Sequence, residues 1–186
     1  MSGSTIPVSR WEVVVFDSDE VNAFALPGGK IGVYRGILRL AGDDDAQIAT
    51  VMGHEVGHVT ARHAAQRIGA AQLTGMVQQA AAIGLEMGGV AGGQQIAGAL
   101  GLGAQYGVLM PFSRAQELEA DRLGVLSMAK AGYDPSRAVQ FWRKMARQGG
   151  GKPPEFLSTH PADATRIAQI EALLPEAEKL YRPRAA

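Results

Sequence analysis

The hydrophobic pattern of this chain changes character part-way along it. From Trp11 to Phe16 it alternates loosely and is rich in valine, the period of a half-buried strand. Asn22 to Leu26 reads as a second short strand. Lys30 to Arg35 reads as a third, with Ile31, Val33 and Tyr34 supplying β character. Between the last two, Leu26-Pro27-Gly28-Gly29 meets the demands of a type II turn, with proline second and glycine third. The three segments predict a small antiparallel sheet over 11–40.

Beyond it the pattern turns helical. Asp43-Asp44-Asp45 brings a cap and negative charge to a helix N-terminus, where free backbone amides favour both. The predicted helix spans 43–67. Gly53 and Gly57 lie inside it, each costing roughly 1 kcal/mol against alanine, and close packing of another backbone is the expected compensation. Residues 68–112 are rich in glycine and carry Glu86 as their single charge. No uninterrupted stretch there reaches the roughly 20 apolar residues of a membrane span, so a pair of helices split near Gly88 to Gly93 is predicted. Low charge fits burial; covering an active site, or a peripheral membrane contact, is the alternative.

Ser113 and Gln116 form a capping box for a helix over 113–131, and Gly132 ends it. Asp134-Pro135 opens a further helix to about Gln148. After the connector Gly149 to Pro154, Asp163 caps a last helix to about Tyr181, which completes C-terminal helices over 135–182.

Composition narrows the function. A chain of 186 residues is most simply one domain, 1–186, with room for a substantial core. Eighteen basic residues balance eighteen acidic ones without a long basic cluster, which argues against nucleic acid as a partner. There is no cysteine, so any metal must be held by histidine and carboxylate. Met1 to Arg10 lacks the apolar run of a secretory signal, leaving either a cytosolic protein or one whose targeting segment is absent.

One string specifies chemistry: His54-Glu55-Val56-Gly57-His58. Residues four apart share a helix face, so two imidazoles can hold one zinc ion, and Glu55 lies where it can take a proton from water beside the metal. A catalytic zinc needs a third protein ligand. His63 sits five residues past His58, about 140° around the helix, and reads as a surface or outer-layer residue. Glu117 and Asp121, four apart on the helix after Ser113, are better placed. One can be a ligand and the other a carboxylate that orients a ligand histidine, while Glu119 points elsewhere. The ordinary alternative is a solvated acidic face paired with Arg114 and Arg122.

Together with Ser113-Arg114 and Glu117 to Arg122, the zinc string resembles the zinc peptidase family of HtpX and the CAAX-prenyl endopeptidases, in its soluble BepA-like envelope branch. Asn22 to Gly29, Ala131 to Pro135 and Ser158-Thr159-His160-Pro161 with Arg166 downstream extend the likeness over roughly 11–172. The resemblance implies an α+β, mainly helical gluzincin fold, with the small sheet packed on the motif helix. It implies zinc, one per chain, on His54, His58 and Glu117, with Glu55 as general base and Asp121 supporting a ligand histidine.

Arg114 and His160 are candidates to stabilise the oxyanion; by itself a loop histidine is an ordinary polar residue, but the resemblance implies that His160 can also act as a reversible fourth ligand. Asn22, Ala23 and Phe24 would form an edge strand that adds an extended substrate by backbone hydrogen bonds. The expected function is a zinc endopeptidase of the bacterial cell envelope, periplasmic or membrane-associated, acting on unfolded or misassembled polypeptides. The rival is a latent or non-catalytic zinc protein that only holds unfolded chains.

Overall fold

The computed structural model describes residues 10–42, 44–70, 72–73, 75–76, 112–148, 154–161 and 164–183. The chain divides into two compact units, one of Met1–Arg62 with Pro111–Ala186 and one of His63–Met110. In the second unit, residues 63–70 are helical; the helix pair expected around Gly88 to Gly93 lies outside the described residues. All elements named below belong to the first unit.

Strands β1 (Glu12–Phe16), β2 (Ala23–Leu26) and β3 (Lys30–Tyr34) form a sheet in the order β1-β3-β2. β2 and β3 make the expected antiparallel hairpin, and Gly28 takes φ 99, the positive value that a type II turn requires at its third position. β1, however, runs parallel to β3, so the sheet is mixed rather than wholly antiparallel. Residues 17–22 carry the chain past one strand position before β2 begins. β3 then fills that slot, and because it reverses β2 it runs with β1.

The predicted sheet region also contains a helix, α1 (Arg35–Ala41), which the sequence reading ran together with the third strand. Its seven residues are too few for a helical period to stand out, and no side chain caps its start.

Helix α2 (Asp45–Thr60) carries the zinc motif, and the Asp44 side chain caps it by accepting from the Ala46 and Gln47 amides at 3.1 and 3.3 Å. It stops short of the predicted Arg67 because Arg62 adopts φ 57, a left-handed conformation that breaks the helical run. Helix α3 (Arg114–Lys130) starts with the predicted capping box, Ser113 and Gln116 each accepting from the other's backbone.

α2 and α3 pack with almost nothing between their backbones. A Cβ on Gly53 would come 2.9 Å from the Gly124 carbonyl oxygen, and one on Gly57 2.7 Å from that of Ala120. That closeness offsets the poor helix propensity of the two glycines and lets the short carboxylates of α3 reach the imidazoles of α2. Helices α4 (Ser136–Arg147), α5 (Glu155–Thr159) and α6 (Ala164–Leu180) complete the unit. The predicted cap of α6, Asp163, and residues 149–153 of the Gly149 to Pro154 connector lie outside the described residues. Ile37, Val51, Met128, Phe141, Trp142, Phe156 and Ile170 are buried in a shared core. Among the described residues, no helix is long and apolar enough to cross a membrane.

Candidate metal centre

His54 and His58 project from one face of α2 and are buried, their Nε2 atoms 3.0 Å apart. Glu117, in the first turn of α3, brings Oε1 to 3.2 Å from His58 Nε2 and Oε2 to 3.4 Å from His54 Nε2. His160 follows directly on α5 and places Nδ1 3.0 Å from Glu117 Oε1 and 3.2 Å from His54 Nε2. These four buried side chains each offer one donor atom, all within 4.8 Å of one another.

The spacing fits zinc. Tetrahedral bonds of about 2.0 Å put neighbouring donor atoms about 3.3 Å apart. The set of three imidazole nitrogens and one carboxylate oxygen is also a normal zinc set. Proton positions point the same way. Asp121 can only accept, so His54 donates to it from Nδ1, at 2.9 Å from Oδ1. In the neutral ring that a metal would bind, the Nε2 lone pair then points towards a carboxylate and two other imidazoles, where a cation is the favourable occupant.

The charge balance reflects that demand. Burial pushes the His54 pKa down, but the hydrogen bonds it donates to Asp121 and Glu117 outweigh it and lift it to about 9. His58 goes the other way, to about 3, because burial and then the charges of His54 and His160 outweigh its bond to Glu117. Glu117 is held far below the carboxylate range: burial opposes ionisation, and hydrogen bonds from His160, His54 and His58 overcome it.

Glu55 is buried beside the cluster. Its Oε1 has no hydrogen-bond partner among the described residues and lies 3.6 Å from His160 Nε2. Aromatic rings wall the site: Phe112 packs on His58 with centroids 4.0 Å apart, Phe156 stacks on His160 at 4.5 Å, and Trp142 meets His54 edge-on at 5.3 Å.

Behind the donors lies a residue to which the sequence reading gave no role. Arg166 is buried and forks onto Asp121, Nε to Oδ2 at 2.7 Å and Nη2 to Oδ1 at 2.8 Å. Its Nη1 donates to the Pro161 carbonyl at 2.8 Å and makes an ion pair with Glu117 Oε2 at 2.6 Å, outside hydrogen-bond angles. With burial opposing, the bonds from His54 and Arg166 hold Asp121 below its ordinary range. Arg166 shares a helix face with buried Ile170, and a charge on an apolar stripe was the available signal.

Arg114, expected as a candidate oxyanion donor beside the metal, is exposed. It lines a cavity of about 180 Å³ with Phe112, Glu117, Pro161 and Arg166, and among the described residues the guanidinium bonded to Asp121 is that of Arg166. Position explains the exposure: Arg114 is the first residue of α3, about two turns before Asp121, where the helix end meets solvent. Glu119 is exposed, as its place on the helix implied. His63 is buried, which removes the surface half of its expected position, and it does not belong to the donor cluster. Ala23 and Phe24 lie in β2, an edge strand of the sheet that packs against α2, and Asn22 directly precedes it, its carbonyl accepting from the Tyr34 amide at 3.0 Å.

Comparison with known proteins bears on this geometry. The chain is 39% identical over 171 residues to mitochondrial metalloendopeptidase OMA1 of Schizosaccharomyces pombe, covering 91% of this chain and 48% of the relative. It is 40% identical over 175 residues to the OMA1 protein of Arabidopsis thaliana, covering 92% and 34%. It is 33% identical over 159 residues to the beta-barrel assembly-enhancing protease of Escherichia coli, covering 83% and 32%. The chain thus spans about half the length, or less, of the curated relatives it matches. The expected bacterial envelope location does not stand, since the relatives at 39% and 40% identity are mitochondrial.

A model of peptidase family M48 matches residues 1–174, a span that takes in the sheet, the motif helix, all four donors and Arg166. On that match the chain belongs to peptidase family M48, whose metallopeptidases use zinc.

Proposed function

We propose that this chain is the peptidase portion of a zinc-dependent endopeptidase acting on misfolded or misassembled polypeptides, in a mitochondrial setting. The observation that carries the reading is the convergence of His54, His58, Glu117 and His160 donor atoms at zinc spacing, with the buried Glu55 carboxylate alongside. His54, His58 and Glu117 are the residues that would hold the metal. When bound, zinc supplies Lewis-acid polarisation of the scissile carbonyl and acidifies water.

Glu55 is the general base. Among the described residues no group donates to its Oε1, which leaves it ready to accept a proton from water and later pass it to the leaving amine. Asp121 holds the Nδ1 proton of His54, which fixes the tautomer and presents Nε2 to the metal. His160 has two uses. With Nδ1 among the donors it can complete a tetrahedron of protein atoms; swung clear, it can offer a proton to the developing oxyanion.

The edge strand β2 supports an extended substrate added by backbone hydrogen bonds, a mode that tolerates many sequences and suits unfolded chains. The name of the beta-barrel assembly-enhancing protease adds support for quality control of assembly as the setting. The place of His160 Nδ1 also favours a second reading, a latent form in which protein side chains fill every metal position and the groove only holds unfolded chains.

Glu55→Gln separates the two. The enzyme reading expects zinc retained at one per chain and peptide cleavage reduced at least about 100-fold. Cleavage at the wild-type rate would remove Glu55 from its role. A wild-type protein that binds unfolded chains but cuts none would favour the latent form.

A further inference from the structure

Among the described residues, Arg166 is the sole buried lysine or arginine, and it has more partners than an ion pair with Asp121 requires. Nε and Nη2 occupy both oxygens of Asp121, whereas Nη1 reaches Glu117 Oε2 and the Pro161 carbonyl. Trp142 covers the guanidinium, its ring centroid 4.1 Å from Cζ, and so fixes the plane in which the fork can act. Two of the partners serve donors of the cluster directly: Asp121 stands behind His54, and Glu117 is itself a donor.

The third partner is different. The Pro161 carbonyl belongs to the residue immediately after His160. α5 ends at Thr159, so the His160 ring sits just past the end of a five-residue helix, held on one side by its amide bond to the Phe156 carbonyl at 2.9 Å. On the other side, the Arg166 bond restrains the next peptide.

We propose that Arg166 is a positioning residue that latches the segment carrying His160 onto helix α3, which carries Glu117 and Asp121. His160 stands among the donors only while one guanidinium spans Asp121, Glu117 and the Pro161 carbonyl. The task needs a planar group with N–H bonds in several fixed directions, which arginine has and a lysine ammonium lacks. The inference rests on the reading of His160 as a donor, and the test keeps the two apart.

The experiment replaces zinc by cobalt(II), whose visible absorption reports the number and kind of ligands. It compares wild type, His160→Ala, Arg166→Lys and the double variant, with circular dichroism as the check on folding. His160→Ala is expected to shift the spectrum. Arg166→Lys should reproduce most of that shift at one cobalt per chain and lower cobalt affinity about 10- to 100-fold. The double variant should match His160→Ala alone, since the latch acts through His160. Arg166→Gln, which removes the charge altogether, should shift the spectrum in the same sense; if it does not fold, Arg166→Lys carries the test.

A wild-type spectrum in Arg166→Lys, alongside a shifted one in His160→Ala, would overturn the latch and leave His160 a donor. A lowered melting temperature with unchanged absorption would make Arg166 structural only, and equally overturn it. An unshifted His160→Ala would remove the donor reading and the latch together.

Discussion

Asp121 and Arg122 are neighbours on α3, and both pair with α6, yet the two pairs belong to different worlds. Arg166 forks onto Asp121 at 2.7 and 2.8 Å with both side chains 2% exposed. Arg122 forks onto Glu176 at 2.9 and 2.8 Å with the side chains 49% and 48% exposed. Geometry is nearly the same, so burial is the variable. In water the charges were already well solvated and their pairing adds little. Inside, each charge depends on its partner, because water can no longer replace it. Asp44 and Arg137 make a third case, 3.6 Å apart with the Asp44 side chain 25% exposed. The comparison teaches that an ion pair's consequence follows from where it sits and not from how well it is formed.

Substitutions can break that ranking, and the largest effect belongs to the buried pair. In the metal-free protein, Asp121→Ala takes from buried Arg166 its bidentate partner, leaving Glu117 as its one carboxylate, and is expected to cost about 3–5 kcal/mol in urea unfolding. A loss below about 1 kcal/mol would mean that Glu117 and the Pro161 carbonyl suffice for the guanidinium, and that the pair owes nothing to burial.

Asp44→Ala should come next, at about 1 kcal/mol, mostly through the lost cap of α2. Burial acts against the Asp44 charge, but bonds from the Gln47 side chain and amide, the Arg137 charge and the Ala46 amide outweigh it and lower the pKa from 3.8. A lowered folded value means that the charge-dependent part is complete above the ordinary value and is lost as pH falls through the folded one. The difference between wild type and Asp44→Ala should therefore be full at neutral pH and shrink only below pH 3.8. If it shrank between pH 7 and 5, some other group would be responsible.

Arg122→Ala is the smallest, at about 0.5 kcal/mol or less, and raising the salt concentration should erase it. Thermal unfolding at low and high salt checks this, and a salt-independent loss would show that the Arg122 stem packs rather than pairs.

Much of the molecule was readable from local signals. The Asp44 cap, the Ser113 capping box and the Pro27-Gly28 turn each declare themselves within a few residues. Gly53 and Gly57 announced a close backbone neighbour, though not that Gly124 and Ala120 would be the ones. The spacing of His54 with His58, and of Glu117 with Asp121, put each pair on one helix face before any packing was known. What stayed hidden was of another kind. α1 was too short to show a period, and the end of α2 turned on one left-handed residue, Arg62. The parallel pairing of β1 with β3 depends on which strand slot the chain skips.

Residue order alone carried the reactive groups, since ligand type, the helical period and the capping chemistry are written over stretches of three to five residues. It could not say that Arg166, 45 residues beyond Asp121, would be the cation behind the metal site and Arg114 an exposed one. That choice was made when α3 and α6 packed. Only then did burial strip water from one arginine and leave it on the other, and the value of a charge depends on which of those happens.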